Sequence, residues 1–242
     1  MGHSIIRDRA LIWAVGPVKW PLMKIGGISV LQRILNALTV PQLEKIGLLV
    51  SAQNKAEFEP AVDHRLHLIL TDELDFARAI IMAEDWFKNF SGNVLLLTAD
   101  LPFVNASLVS RLLGFLHAEQ AVGCLPVAHS VRAQKEHARI IRDGQDNIRR
   151  LHLFSQPFAD RENPFVITGF PFLFEWDCLQ RALYQVLHKR ENAHLMDVIE
   201  KITDNGFEIK SLAIENDLPL FRIHNEEDMQ FARKILTIRE NL

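Results

Sequence analysis

Short apolar runs that alternate with longer amphipathic segments limit the folds open to this chain. The runs have the length of strands and are ALIWAV (10–15), IGLLVSA (46–52), LHLILT (66–71) and NVLLLTA (93–99). The segments typical of helices are SVLQRILNAL (29–38) and DFARAIIMAEDWF (75–87). Almost wholly apolar strands are typical of parallel sheets covered on both faces. The first half therefore predicts βαβ units and an α/β fold with a mostly parallel sheet.

The second half of the sequence has a mixed pattern. Strand-like runs are predicted at 121–129, 137–143 and 207–215, and DGQDN at 143–147 predicts a turn. Helices are predicted at 177–187, 194–202 and 226–238. Because no repeat, low-complexity tract or flexible linker interrupts the chain, we expect a single domain over residues 1–242.

The composition argues against several classes of protein. The 242 residues are 48% hydrophobic and 24% charged, with a formal net charge of −3, so no strong positive field attracts nucleic acid. Two cysteines, Cys124 and Cys178, without a short spacing argue against a disulfide framework or a zinc site. No apolar run has transmembrane length or the form of a signal peptide. We therefore expect a cytoplasmic protein that binds neither nucleic acid nor a membrane.

Asp100 is the polar residue whose position most suggests chemistry. It follows the apolar run 93–99 directly and precedes the break at Pro102. In an open α/β sheet, ligands bind beyond the carboxyl ends of the strands, where a carboxylate can hold a hard cation such as Mg²⁺. The alternative is that Asp100 starts a turn or caps the following helix, and the residues alone leave both open. At a crevice edge we expect an exposed side chain, so that Asp100→Ala changes stability little.

Six segments carry a resemblance to known families. They are KIGGISVLQRIL (24–35), TADLPFVNASLVSRLL (98–113), HARIIRDGQDNIRRL (137–151), ITGFPFLF (167–174), ENAHLMDVIEKITDNGFEI (191–209) and FRIHNEEDMQFARKIL (221–236). In this order they resemble segments of the molybdenum-cofactor guanylyltransferase-like and sugar-phosphate nucleotidyltransferase families, among them the N-acetylglucosamine-1-phosphate uridylyltransferases. The segment 98–113 is similar to the strand end where an Asp of these families binds Mg²⁺.

The resemblance implies a Rossmann-like fold of the nucleotide-diphospho-sugar transferase (GT-A) type and a nucleotidyltransferase activity. The implied partners are a nucleoside triphosphate and a small phosphorylated acceptor, with Mg²⁺ as cofactor. The site residues it implies are Asp100 and Asn225 for the metal, Ala14 and Gly16 for the nucleotide, and Thr168, Gly169 and Asp197 for the sugar or other acceptor.

The N-terminal segment departs from the family pattern. The families have a Gly-rich loop that ends in Arg and binds the triphosphate, whereas this chain has GPVKWPLMKIGG (16–27), with neither feature. Leu22 stands where the families have Lys, and Ile167 stands where they have Asn. Lys19 and Lys24 are the candidates for the missing positive charge, and the alternative for each is an ordinary surface lysine.

Two main functions of different classes fit these residues. In the first, a sugar phosphate or similar acceptor attacks the α-phosphate of a nucleoside triphosphate and releases pyrophosphate, with Mg²⁺ and a lysine stabilising the charge. In the second, the chain is a catalytically inactive homologue that binds a nucleotide or sugar nucleotide in a regulatory role. A glycosyltransferase with one metal-binding Asp is a third hypothesis. Because the phosphate loop is missing, we expect weak triphosphate binding and slow or absent turnover.

Overall fold

The computed structural model describes residues 8–16, 19–61, 64–160, 162–189 and 194–240. In these ranges the strands are β1 (Asp8–Trp13), β2 (Lys24–Ile25), β3 (Ile28–Ser29), β4 (Leu43–Val50), β5 (Leu66–Leu70), β6 (Asn93–Thr98), β7 (Gly123–Ser130), β8 (Arg132–Ala133), β9 (Ala138–Arg142), β10 (Ile148–Leu153), β11 (Phe158–Ala159), β12 (Phe165–Thr168), β13 (Phe172–Glu175) and β14 (Ile209–Ala213). The helices are α1 (Lys19–Leu22), α2 (Val30–Ala37), α3 (Lys55–Phe58), α4 (Phe76–Met82), α5 (Ala106–Glu119), α6 (Trp176–Leu187), α7 (Leu195–Asp204) and α8 (Glu226–Glu240).

One large sheet contains most of the strands. Its first half has the order β5-β4-β1-β6 and is parallel throughout, with Leu11 of β1 opposite both Gly47 of β4 and Leu96 of β6. Beyond β6, the strand β13 pairs antiparallel with β6 on one side and with β7 on the other. The strand β14 pairs with β7 in parallel. The strands β12, β9 and β10 extend the sheet from the second half of β7 in antiparallel pairs. The predicted α/β fold, with a parallel first half and a mixed second half, is confirmed.

Polar residues fix where three of the helices begin. Ser29, Asp75 and Asn105 each accept a hydrogen bond from the backbone N–H three residues later, at 3.1, 3.0 and 2.9 Å. Each bond satisfies one of the N–H groups that the first turn of a helix leaves without an intrahelical partner. The helix predicted over 75–87 is interrupted, because α4 ends at Met82 and a 3₁₀ turn follows at Glu84–Phe87.

Helices cover both faces of the sheet. On β6, Leu95 and Leu97 enter one apolar core with α2 and α5, whereas Val94 and Leu96 enter a second core with α6 and α7. All four side chains are fully buried. A parallel strand covered on both faces has no solvated positions, which explains why this run contains almost no polar residues.

The carboxyl ends of the parallel strands meet at one edge of the sheet. There β1 ends at Trp13 and β6 ends at Thr98, with Asp100 two residues further on. The predicted position of Asp100 at a carboxyl edge is therefore confirmed, although β1 begins and ends two residues earlier than the run 10–15 predicts. Within the described ranges, no helix is long and apolar enough to cross a bilayer.

Leu95→Ala should lower the free energy of unfolding by about 2–5 kcal/mol. Leu95 is 0% exposed on a strand paired on both sides, so truncation leaves a cavity. Leu74→Ala is the matched control, because Leu74 is 81% exposed and its loss should change the free energy by less than about 0.5 kcal/mol. Urea unfolding followed by circular dichroism measures both. Equal effects would contradict the central position of β6.

Candidate functional site

A cleft of about 1050 Å³ opens at the carboxyl edge of the sheet. Its lining includes the aromatic rings of Trp13, Phe76 and Phe170. The ring centroids of Trp13 and Phe76 lie 4.7 Å apart, and those of Phe76 and Phe170 lie 5.6 Å apart. Trp13 ends β1 and Phe76 begins α4, so regular elements position both rings. A cleft of this size fits a cofactor-sized ligand, and aromatic faces offer a surface on which a planar ring can stack.

Charged side chains complete the lining of the cleft. Asp72, Glu73 and Asp75 come from the segment that joins β5 to α4 and provide hydrogen-bond acceptors. Lys135 and Arg222 come from two later segments and provide donors with positive charge. The cleft can therefore contact both a polar ring edge or hydroxyl group and an anion.

Asp100 and Arg222 form a bidentate ion pair at this edge. Arg222 Nε donates to the two carboxylate oxygens at 3.0 and 3.2 Å, and Nη2 donates to Oδ2 at 2.9 Å. The hydroxyl of Thr98 donates to Oδ1 at 2.7 Å. Burial alone would raise the pKa of the Asp100 carboxyl, but the charge and hydrogen bonds of Arg222 and the bond from Thr98 hold that pKa below its ordinary value. The expectation of an exposed Asp100 is wrong, because only 15% of its side chain is exposed.

The backbone around Arg222 is fixed on both sides. The backbone N of Arg222 donates to Gln134 Oε1 at 2.9 Å, and Gln134 Nε2 donates to the Arg222 carbonyl at 2.7 Å. The backbone N of Ile223 donates to the Asp100 carbonyl at 3.0 Å. Gln134 thus ties the segment before α8 to the turn after β8, and Asp100 ties it to the end of β6.

His224 also approaches Asp100, after Arg222 and Thr98. Its Nε2 lies 3.9 Å from Asp100 Oδ2 and 3.4 Å from Glu136 Oε1, and this buried atom makes no hydrogen bond to the described residues. Its backbone N donates to Asp228 Oδ2 at 3.0 Å. Burial and the nearby charge of Arg222 lower the pKa of His224, so its ring is neutral at pH 7.

A smaller cavity of about 230 Å³ lies beside the ion pair. Ala14, predicted to contact the nucleotide, lines it together with Trp20 and Pro21 from α1 and with Asp100 and Arg222. Arg222 also lines the large cleft, so it borders both spaces. The residues of α1 belong to the segment 16–27, where the resemblance predicts the phosphate loop, and two of them line this cavity.

The remaining residues of the N-terminal prediction have other contacts. Gly16 adopts a left-handed φ of 113°, and its carbonyl accepts a hydrogen bond from Asn54 Nδ2 at 3.0 Å. Lys19 Nζ lies 3.8 Å from Glu226 Oε2, in an exposed ion pair. Lys24 is exposed on β2. Pro17 and Val18, within the predicted loop position, lie outside the described residues. The nucleotide and catalytic roles of these residues stay predictions.

The three predicted acceptor residues are absent from the lining of the large cleft. Thr168 is fully buried and its hydroxyl donates to the Pro126 carbonyl at 2.7 Å. Gly169 packs against His137, since a Cβ there would lie 3.2 Å from the ring. Asp197 accepts a hydrogen bond from the backbone N of His194 at 2.8 Å, at the start of α7. Their acceptor role stays a prediction, and their contacts give each a structural role.

The donor set predicted for Mg²⁺ does not fit the ion as arranged. Both oxygens of Asp100 accept hydrogen bonds from Arg222. Asn225 is exposed, and its Oδ1 accepts the backbone N–H of Asp228 at 2.9 Å, at the start of α8. Mg²⁺ needs oxygen ligands at roughly 2.1 Å. Among the described residues, no group of three or more His, Cys, Asp or Glu side chains is arranged to hold a metal ion.

Sequence reasoning missed Arg222 and His224. Phe221 and Ile223 are buried, and Arg222 and His224 alternate with them along this extended segment. The two polar side chains therefore lie on the opposite side from the two buried ones. That alternation in FRIH is visible in the sequence and could have indicated that both polar residues lie on one side of the segment. The sequence contains no signal that this side faces Asp100.

Comparison with known proteins identifies a family and a fold. The family model described as MobA-like NTP transferase domain matches residues 19–205. The chain is 20% identical over 218 residues to the bifunctional protein GlmU of Acetivibrio thermocellus, with 89% of this chain and 47% of the relative covered. It is 24% identical over 223 residues to GlmU of Pelotomaculum thermopropionicum, with 90% and 48% covered. The chain thus spans about half the length of the curated relatives it matches.

Two solved structures share the fold. The 4-diphosphocytidyl-2C-methyl-D-erythritol synthase of Anaerococcus prevotii matches with a TM-score of 0.72 and 16% identity, with 98% of this chain and 100% of that chain covered. A CMP:2-keto-3-deoxy-manno-octonic acid synthetase complexed with CTP matches with a TM-score of 0.69 and 11% identity, with 96% and 99% covered. The predicted Rossmann-like fold of the GT-A type is therefore confirmed.

Asp100→Ala should lower the free energy of unfolding by about 3–5 kcal/mol at pH 7, because it leaves the guanidinium of Arg222 buried without its partner. Glu59→Ala is the matched control. Glu59 lies 3.5 Å from Lys55 in an ion pair whose side chains are 56% and 48% exposed, so its loss should cost less than about 1 kcal/mol.

The effect of Asp100→Ala should also depend on pH. Because folding depresses the pKa of Asp100, the stabilisation is fully present above the unfolded pKa of about 3.9 and is lost as the pH falls through the lower folded value. Denaturant titrations between pH 8 and pH 3 measure the difference from wild type. A difference below about 1 kcal/mol at pH 7 would contradict the buried ion pair.

Proposed function

This chain belongs to the MobA-like NTP transferase domain family, and we propose that its large cleft binds a nucleoside triphosphate and a phosphorylated acceptor. In the proposed reaction, a phosphate oxygen of the acceptor, such as a sugar phosphate, forms a bond to the α-phosphorus. The bond from that phosphorus to the β-bridging oxygen breaks, and pyrophosphate leaves. The acceptor thereby receives the nucleoside monophosphate.

The position of the cleft is the observation that carries this proposal. It lies at the carboxyl edge of the parallel strands, where open α/β sheets bind their ligands. The rings of Trp13 and Phe76 offer a stacking surface for a nucleobase, and the acidic segment 72–75 offers acceptors for base amino groups or sugar hydroxyls. A relative of the same fold was solved in complex with CTP, which supports a nucleotide as the ligand.

Positive charge for the triphosphate comes from the protein in this proposal. Arg222 and Lys135 line the cleft and can contact phosphoryl oxygens, where charge builds up during transfer. No step passes through Mg²⁺, because the oxygens of Asp100 already bind Arg222.

A binding protein without turnover is the second candidate function. It is favoured by the contacts of the two cationic groups that the reaction would use, since Arg222 pairs with Asp100 and Lys135 Nζ lies 3.6 Å from Glu136 Oε1. The phosphate loop of the families supplies charge-assisted hydrogen bonds that this chain lacks. The loss of each such bond weakens the binding free energy, or raises the activation barrier, by about 1.5–3 kcal/mol. We therefore propose that any turnover is slow.

Pyrophosphate release tests the proposed function. We expect one of the four ribonucleoside triphosphates, combined with a panel of sugar phosphates, to give release well below the enzyme median of about 10 s⁻¹. Trp13→Leu should lower kcat/KM by roughly 5-fold to 150-fold, because one base-stacking contact contributes about 1–3 kcal/mol. Phe158→Leu, a partly exposed ring outside the cleft lining, is the control and should leave kcat/KM unchanged.

Thermal shift on the same panel separates the two candidate functions. A triphosphate that raises the melting temperature without pyrophosphate release favours the binding protein, because a ligand of the native state must stabilise it. A triphosphate that neither raises the melting temperature nor releases pyrophosphate, across the whole panel, would contradict a nucleotide site in this cleft.

A further inference from the structure

We infer that the guanidinium of Arg222 takes the place of a divalent cation at Asp100 and binds the phosphate groups of the ligand without a metal. The inference rests on the proposed function for the identity of the ligand as a phosphate ester. It concerns a residue and a charge that the predicted site did not contain. Four features of the structure support it.

The first feature is the occupancy of the Asp100 carboxylate. Oδ1 accepts hydrogen bonds from Arg222 Nε and the Thr98 hydroxyl, and Oδ2 accepts from Arg222 Nη2 and Nε. Three donor hydrogens therefore face the carboxylate, since the single Nε–H is shared between its two oxygens. Because the cationic guanidinium bonds to both oxygens, it occupies the side of the carboxylate on which a divalent cation would bridge them.

The second feature is the anchoring of Arg222. Its side chain is 18% exposed, and its backbone exchanges two hydrogen bonds with the Gln134 side chain. The next residue, Ile223, is fully buried and bonded through its N–H to the Asp100 carbonyl. Rotation of Arg222 away from Asp100 would leave a largely buried carboxylate without its cationic partner and with only the Thr98 hydroxyl as a donor, which is strongly unfavourable.

The third feature is the N–H donor of Arg222 that the ion pair leaves available. The ion pair uses Nε and Nη2, and among the described residues Nη1 has no hydrogen-bond partner. Arg222 lines both the large cleft and the small cavity. The planar guanidinium can therefore keep its contact with Asp100 and present a further N–H group to a phosphate oxygen.

The fourth feature is the charge that each arrangement leaves. One carboxylate with a divalent cation has a net charge of +1, whereas the same carboxylate with a guanidinium is neutral. The ligand then gains directed hydrogen bonds but less Coulomb attraction than a metal would give. We therefore expect binding that is weak and independent of divalent cations.

Electron paramagnetic resonance of Mn²⁺ tests the exclusion of the metal. Mn²⁺ alone, titrated against the ligand-free protein, should stay free in wild type, with no stoichiometric site. One bound equivalent in wild type that disappears in Asp100→Asn would overturn the inference. The measurement involves no nucleotide and no turnover, so its result does not depend on the proposed function.

Binding of inorganic tripolyphosphate in EDTA tests the role of the guanidinium. Wild type should bind it without metal, and the double variant Asp100→Asn with Arg222→Gln should bind about tenfold to a hundredfold more weakly, since one charge-assisted contact is lost. This double variant keeps the net charge of the protein. The double variant Lys55→Gln with Glu59→Gln removes an exposed ion pair in the same way and is the matched control, with unchanged binding expected.

Arg222→Lys covers the case in which the double variant does not fold. It keeps the charge but not the planar fork, so we expect weaker tripolyphosphate binding than in wild type, with melting curves confirming the fold. Calorimetry measures all variants. Wild-type binding that requires Mg²⁺, no wild-type binding with or without Mg²⁺, or unchanged binding in both Arg222 variants would each overturn the inference. Failure of pyrophosphate release alone would count against the proposed function and not against this role of Arg222.

Discussion

The bidentate ion pair between Asp100 and Arg222 joins two parts of the chain that are 122 residues apart. It attaches the segment before α8 to the carboxyl end of β6, with the Ile223–Asp100 backbone bond beside it. The walls of both cavities depend on this attachment, because Arg222 lines each of them. The position of the ion pair therefore determines which charged groups a ligand at this edge can reach.

The effect of a buried ion pair on the free energy of unfolding depends on whether one partner is lost or the intact pair is compared with apolar residues. Loss of either partner is costly, because the remaining charge stays buried, whereas an intact buried pair often contributes little net stability compared with apolar residues. Stability alone therefore does not explain the pair. Its place at the carboxyl edge, where ligands of open α/β sheets bind, is consistent with a functional role for Arg222.

Most of the fold, but only part of the site, could be predicted from the sequence. The run 93–99 predicts a strand of a parallel sheet covered on both faces, because burial on both faces leaves almost no position for a polar residue. The location of Asp100 at the edge follows from the same pattern. Its partner does not, because no local pattern identifies a contact made 122 residues away. The resemblance implies a metal role for Asn225 and names no role for His224. In the structure, Asn225 caps the start of α8 and is exposed, whereas His224 lies beside Asp100.

Crystals of the protein with Mn²⁺ and a nucleoside triphosphate test the role of Arg222 most directly, since anomalous scattering locates the metal and the electron density locates the phosphates. We predict that Arg222 stays bonded to Asp100, that no anomalous peak lies at bonding distance from the Asp100 oxygens, and that a phosphate oxygen accepts a hydrogen bond from the guanidinium. An anomalous peak on Asp100, with Arg222 rotated away from the carboxylate, would contradict this assignment.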